Sequence, residues 1–137
     1  MTKSSSEYIR GFSEKDKLGR MFNARFVSIE AGECIFEYDF HPDHTNPNGI
    51  LHGGALYSVM DSSQGALIHF DLESKYQAAA TGTATIKYLA PVTSGTVKIT
   101  TRIKAVDGRK VFIESVAYGS DGSEVARLDE VWICILK

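Results

Sequence analysis

The segment Asn46 to Asp61, "NPNGILHGGALYSVMD", decides the fold of this chain. It begins with turn residues, passes through His52, Gly53 and Gly54, and continues as an apolar run with helical spacing. The apolar positions at this spacing are Ala55, Leu56, Val59, Met60, Ala66, Leu67 and Phe70. We therefore predict one long helix from Gly53 to Phe70. Asp61, a carboxylate inside this apolar run, requires an explanation.

The segments on both sides of the helix have the alternating pattern of strands. Before it, Arg25 to Ile29 and Cys34 to Phe40 flank Ala31-Gly32 and predict a hairpin. After it come "TGTATIKYLAPV", "GTVKITTRIKAV", "KVFIESVAYG" and "EVARLDEVWICIL", separated by turn residues that include two Asp-Gly pairs. These segments predict a four-strand antiparallel meander. The fold class is therefore α+β, with one helix lying across an antiparallel sheet.

Length and composition limit the classes of protein that fit. A chain of 137 residues is long enough for one domain. We divide it into residues 1–22, an N-terminal extension whose short helix starts at "SEKD" (residues 13–16), and the domain 23–137. The net charge of -2 and the lack of a dense basic block argue against a nucleic-acid partner.

The remaining signals concern location, cysteines and metals. The start of the chain lacks the apolar core of a signal peptide, and no 18-residue apolar run is present, so we expect a soluble, cytoplasmic protein without a membrane partner. Cys34 and Cys134 have no metal or redox spacing and are expected to be buried thiols. His41 and His44 lie in a turn around Pro42, where we expect no metal site.

Three features of the sequence resemble one known family. "HTNPNGILHGGALYSVMD" is followed by "TIKYLAP" and by the repeated strands, in an order and spacing similar to those of hotdog-fold acyl-CoA thioesterases of the phenylacetate-pathway (PaaI-like) branch. The resemblance covers Asn23 to the C-terminus. It implies an antiparallel sheet wrapped around one long central helix, a homodimer with antiparallel central helices that usually pairs again into a tetramer, and hydrolysis of an acyl-CoA. Coenzyme A is then part of the substrate, and no cofactor is expected.

The resemblance also implies roles for five residues. Asp61 matches the catalytic carboxylate, and Gly53 matches the glycine whose backbone N–H polarises the thioester. Asn46 matches an asparagine that helps to hold the carbonyl or the water, although it is also an ordinary turn residue before proline. His52 matches the motif histidine that steadies the loop, or it caps the helix. Thr81 stands where relatives carry a hydroxyl that assists the water.

The physical chemistry of the segment leads to a shared site. The first N–H groups of a helix lack intrahelical acceptors and lie at the positive end of its dipole, so they suit an oxyanion. Asp61 follows Gly53 by eight residues, which is about 12 Å along a helix. This separation is too large for one thioester, so we expect Gly53 of one subunit to meet Asp61 of another across a two-fold axis.

Six further residues are candidates for substrate binding. Gly54 belongs to the glycine pair that lets substrate approach the backbone, and Tyr57, Met60 and Tyr88 line an acyl tunnel or belong to the core. Arg109 and Lys110 lie at a predicted hairpin tip, where they meet CoA phosphates or are simply solvated. Gly65, inside the helix, indicates close packing or ligand access.

The sequence leaves two questions open. Asp61 is either a general base for water or a nucleophile that forms a mixed anhydride. A non-catalytic acyl-CoA-binding protein of the same fold, and a hotdog dehydratase or hydratase, are the alternative functions.

Overall fold

The computed structural model describes residues 4–137 as one antiparallel sheet with a long helix on one face. The helices are α1 (Ser5–Lys15), α2 (Lys17–Met21) and α3 (Gly53–Leu72), with a short 3-10 helix at Pro42–His44. The strands are β1 (Arg25–Glu30), β2 (Glu33–Asp39), β3 (Tyr76–Tyr88), β4 (Thr96–Asp107), β5 (Lys110–Tyr118) and β6 (Glu124–Leu136). This arrangement is the hotdog fold and confirms the predicted class. No helix in the described residues is both long and apolar enough to cross a membrane.

The predicted start of the N-terminal helix is wrong. Ser13 lies inside α1, which starts earlier because the Ser4 hydroxyl caps it by accepting a hydrogen bond from the Glu7 N–H. Asp16 does cap a helix, but that helix is α2. The buried Tyr8 of α1 donates a hydrogen bond to the Ala66 carbonyl of α3 over 2.6 Å, so this extension packs on the same core as the sheet.

The strand order corrects the predicted meander. The sheet runs β1-β2-β4-β5-β6-β3, so β3 pairs with β6 at one edge and β4 pairs with β2. The link between β3 and β4 is a longer segment containing Pro91, and not a tight turn. Its buried Val92 accepts a hydrogen bond from the Leu51 N–H, which ties the link to the loop before α3. This link carries the chain from the edge strand β3 past β6 and β5 to β4 in the interior of the sheet.

A buried group of polar side chains fixes α3 against the sheet. Ser63 of α3 is within 2.7 Å of the Thr101 hydroxyl on β4, and Thr101 is within 2.7 Å of the Ser115 hydroxyl on β5. Gln64 donates to Ser115 and accepts from the Trp132 indole N–H, each at 3.0 Å. Since buried polar groups are costly without partners, these bonds select one position of the helix on the sheet.

Replacing Ser115 with Ala should destabilise the protein. The substitution removes a hydroxyl that Gln64 and Thr101 both contact inside the core. We expect the free energy of unfolding to fall by about 1–3 kcal/mol, because buried polar groups lose a partner. Urea unfolding measures this as a lower midpoint with an unchanged slope. Ser94→Ala, in an exposed turn, is the control and should unfold like the wild type.

The edge strand β3 is unusual because it is long and little covered. Its 13 residues leave most side chains exposed, including Thr83, Ala84 and Thr85. One side of β3 is paired with β6, and the other side is the free edge of the sheet. A long exposed edge offers unpaired backbone groups to another strand.

Candidate active site

The start of α3 presents one free backbone donor. His52 is the N-cap, and its Nδ1 accepts a hydrogen bond from the Gly54 N–H over 2.8 Å, while its carbonyl accepts from the Ala55 N–H. Among residues 4–137, no group accepts a hydrogen bond from the Gly53 N–H. Gly53 therefore presents a donor at the positive end of the helix dipole. His52 is exposed and holds the helix start, while the Gly54 N–H is already used in the cap.

Asn46 shapes the loop that leads to this helix. Its side-chain oxygen accepts from the Asn48 and Ile50 N–H groups at 2.9 and 3.2 Å, and its own N–H donates to the Ile50 carbonyl. Gly49 completes the turn with a φ of 76°, a conformation that glycine adopts without strain. Asn46 also lines the same cavity as Gly53.

An open cavity of about 380 Å³ lies beside the start of α3. Asn46, Gly53, Leu56 and Tyr88 form part of its wall. The Tyr88 hydroxyl donates to the Gly53 carbonyl over 2.7 Å, and a Cβ atom on Gly53 would lie 2.8 Å from the tyrosine ring. Glycine at this position therefore allows Tyr88 to lie against the helix start, where burial raises the pKa of its hydroxyl.

A second group of polar side chains surrounds Asp61. The Thr81 hydroxyl of β3 donates to Asp61 Oδ1 over 2.8 Å. The carboxyl group of Glu130 on β6 lies within hydrogen-bonding reach of Asp61, and the Tyr57 hydroxyl donates to Glu130 Oε2 over 3.1 Å. Asp61 is half-buried, whereas Glu130 is only 2% exposed.

Burial and the neighbouring carboxyl group determine the titration of Glu130. Desolvation is the largest cause, and the hydrogen bond and charge of Asp61 come next; together they raise the pKa of Glu130 from 4.5 to about 8. Hydrogen bonds with Tyr57 and Trp132 oppose this shift. Burial, followed by the charges of Glu130 and Asp61, raises the pKa of Tyr57 to about 12.

The structure divides the predicted catalytic residues into two groups. Asn46, His52 and Gly53 are at the start of α3, and Asp61 and Thr81 meet two helical turns further on. Eight residues of continuous helix put about 12 Å between Gly53 and Asp61. One chain therefore holds a donor with a cavity at one place and a positioned carboxylate at another.

The remaining candidates occupy different surroundings. Met60 is fully buried in the core and does not line the cavity, and Tyr57 donates a hydrogen bond to Glu130.

Arg109 and Lys110 are exposed at the β4–β5 turn, which Tyr76 contacts at the beginning of β3. Since the cavity lies at the other end of β3, about 40 Å of strand separates them from Gly53 within the chain. The helical Gly65 packs against the Trp132 ring, where a Cβ atom would lie 3.2 Å from the indole.

Sequence reasoning missed Glu130, although the pattern of β6 contained a signal for it. Alternate residues of this strand, Ala126, Leu128, Trp132 and Cys134, are buried, and Glu130 shares their periodicity. An acidic residue at an inward position of an otherwise apolar strand face is unusual. That break in the alternation, together with Asp61 in the apolar helix, was the sequence signal that could have identified Glu130 as a candidate.

Comparisons with solved structures agree with the hotdog fold. The PaaI protein of Escherichia coli, from the phenylacetic acid degradation operon, is 18% identical, with 96% of each chain covered and a TM-score of 0.84. A mutant thioesterase of Pseudomonas aeruginosa is also 18% identical, with 100% of this chain and 97% of that chain covered and a TM-score of 0.84. A Streptococcus mutans protein solved with acetyl CoA bound is 22% identical, with 84% and 90% covered and a TM-score of 0.76.

A family model assigns the chain more specifically than these structural likenesses do. The model described as Thioesterase superfamily matches residues 48–126, which is more than half of the chain. The matched range contains the Gly53 donor, Asp61 and Thr81, and it ends before Glu130. The chain thus belongs to the Thioesterase superfamily, and the activity that this membership supports is that of a hydrolase.

Proposed function

We propose that this protein is an acyl-CoA thioesterase of the PaaI-like branch, and that two copies of the chain build each active site. The observation that carries the proposal is the separation of the Gly53 N–H and the Asp61 carboxylate along α3. The helix start offers the free Gly53 N–H beside a cavity, and the carboxylate of Asp61, held by Thr81, lies about 12 Å away on the same helix. A thioester carbon needs both groups, so the missing half of each site must come from a second copy.

A two-fold arrangement of two chains supplies the missing half of each active site. If two α3 helices lie antiparallel, Gly53 of each faces Asp61 of the partner subunit, and two equivalent sites result. The free edge of β3 supports the same arrangement, because its exposed backbone can pair with β3 of the partner subunit. We further propose that such dimers pair into a tetramer.

The proposed reaction uses water and no cofactor. The Gly53 N–H stabilises the negative charge that develops on the thioester oxygen. Asp61 either removes a proton from water as the water attacks and passes that proton to the departing CoA thiolate, or attacks the carbonyl carbon itself to form a mixed anhydride that water then hydrolyses. In both routes the carbon–sulfur bond breaks, a carboxylic acid and CoA are released, and Asp61 ends as a carboxylate. Asn46 supports the carbonyl or the water from the cavity wall, and Thr81 orients Asp61.

The cavity next to Gly53 suits part of a CoA thioester. Tyr88 and Leu56 in its wall provide apolar surface. In an antiparallel pair, the β4–β5 turn of the partner subunit comes to the side where this cavity opens. Arg109 and Lys110 of the partner subunit are then available to bind CoA phosphates. The Streptococcus mutans structure with acetyl CoA supports this class of ligand for the fold.

A panel of acyl-CoAs with a thiol reagent tests the reaction. We expect free CoA to appear with at least one acyl group. Binding without CoA release would indicate an acyl-CoA-binding protein, and hydration of an enoyl-CoA would indicate a hydratase.

Light scattering at assay concentrations should give a dimer or a tetramer, and a fully active monomer would contradict the shared site.

Labelled water separates the two routes open to Asp61. In a single turnover in oxygen-18 water, attack by water puts the label into the released acid and leaves Asp61 unlabelled. A mixed anhydride puts the label into Asp61 when water attacks that carboxyl group. Label in the peptide containing Asp61, detected by mass spectrometry, therefore shows the mixed-anhydride route.

A further inference from the structure

Glu130 is a buried carboxyl group without a compensating positive charge. It lies on the helix-facing side of β6 with an exposure of 2%. Its cross-strand neighbours, Ala84 of β3 and Ile113 of β5, carry no charge. The salt bridges found within residues 4–137 involve other acidic residues. Because a buried unpaired carboxylate is costly, a neutral Glu130 is the more stable form.

The hydrogen bonds around Glu130 indicate which of its oxygen atoms carries the proton and which group accepts a hydrogen bond from it. Oε2 accepts a bond from the Tyr57 hydroxyl, while Oε1 is buried and has no conventional donor among the described residues. The Asp61 carboxyl group lies within hydrogen-bonding reach, and so does the Trp132 indole N–H, which donates to Gln64. Two carboxylates cannot bond to each other, but a proton on Oε1 gives Glu130 a donor and Asp61 an acceptor. One proton therefore satisfies the unpaired oxygen and removes the repulsion.

We infer that Glu130 is a positioning residue that keeps its proton and donates it as a hydrogen bond to the Asp61 carboxylate. Two donors, the Thr81 hydroxyl and the Glu130 carboxyl group, then fix the orientation of Asp61 from β3 and β6. The catalytic part of this inference rests on the proposed function. The pairing of the two carboxyl groups does not.

The pair should respond to pH. The titratable groups that face Glu130 are Asp61 and Tyr57, both on α3, and Tyr57 stays neutral because its pKa is about 12. As the pH rises through about 8, the pKa of Glu130, the donor is lost and a second charge appears beside Asp61. The stability contributed by the neutral carboxyl group is complete below its unfolded pKa and is lost as the pH rises through the folded value.

A spectroscopic titration without substrate tests the pairing. Infrared spectra of the wild-type protein should contain a protonated-carboxyl C=O band at pH 6–7 that is absent from Glu130→Gln and titrates near pH 8. The Asp61→Asn substitution should lower this midpoint because it removes the adjacent charge. The Tyr57→Phe substitution should raise it because it removes a bond that favours the ionised form. A midpoint near the ordinary value of 4.5, or one unaffected by Asp61→Asn, would overturn the inference.

Kinetics test the positioning role. Wild-type kcat should fall as the pH passes about 8, whereas Glu130→Gln, which keeps a neutral donor, should lack this fall. Glu130→Ala should lower kcat about ten- to a hundredfold with little change in KM, since Asp61 loses orientation. Glu33→Gln, on the exposed part of β2, should keep the wild-type profile. An unchanged alkaline fall in Glu130→Gln would refute the role.

The two measurements separate the inference from the proposed function. If the wild-type protein hydrolyses no acyl-CoA but its Glu130 band behaves as expected, the function is wrong and the carboxyl pair stands. If hydrolysis occurs and the band is missing, the function stands and Glu130 has no such role. Thermal unfolding of each variant shows whether a kinetic loss reflects misfolding.

Discussion

Replacing Asp61 with Asn should lower kcat for acyl-CoA hydrolysis about a thousandfold, the loss typical of removing a general base. Asn has the same shape and can still accept the Thr81 hydrogen bond, but it neither removes a proton from water nor attacks a carbonyl. KM should change little, because the Gly53 donor and the cavity are untouched. Steady-state release of CoA, detected with a thiol reagent, measures both constants.

The control for this experiment is a second Asp on an exposed strand position. Asp129→Asn, which breaks a surface ion pair with Lys104, should leave kcat within about twofold of the wild type. The Asp61→Asn protein should have the wild-type oligomeric state, so that a loss of turnover reports chemistry. Wild-type turnover in Asp61→Asn would show that Asp61 is not the catalytic carboxylate.

The Gly53→Pro substitution should remove the oxyanion donor and leave the helix intact. Proline is favoured at the first position of a helix, where its missing N–H has no intrahelical partner. His52 already has the extended conformation that a following proline requires, with φ and ψ of -63° and 130°. We expect kcat to fall about a hundred- to a thousandfold, as for loss of one oxyanion-hole donor.

The Gly53→Ala substitution is the matched control, because it adds bulk but keeps the N–H. Its Cβ atom meets the end of the Tyr88 side chain at 2.8 Å, and this exposed ring can move. We therefore expect Gly53→Ala to lose much less activity than Gly53→Pro. Equal losses in the two variants would mean that crowding, and not the N–H, is responsible.

The two inactive variants also test whether the site is shared between subunits. Refolding Gly53→Pro together with Asp61→Asn produces mixed dimers in which one site carries both defects and the other carries neither. With random pairing, about a quarter of wild-type sites should return. A site built within one chain would give no recovery. The measurement is the kcat of the refolded mixture compared with each variant refolded alone.

Local sequence patterns were sufficient to predict most of the fold. The apolar spacing placed the helix at Gly53 to Phe70, and α3 begins at the same residue and ends at Leu72. The alternation of the later segments placed β4, β5 and β6 within a few residues. These features depend on contacts between residues close in sequence. The strand neighbours of β3 could not be obtained in this way, because a crossover link joins it to β4.

The sequence alone determined the helix that begins with a glycine pair and the distance from it to Asp61. Helical rise is the same in every protein, so eight residues were enough to separate the two groups. Only the tertiary structure decided what surrounds Asp61. The pairing of β6 with β3 brings Glu130 and Thr81, which are far apart in the chain, to the same side of the sheet as Asp61. The closeness of these three residues depends on strand order and register, which are selected by packing between residues far apart in the sequence.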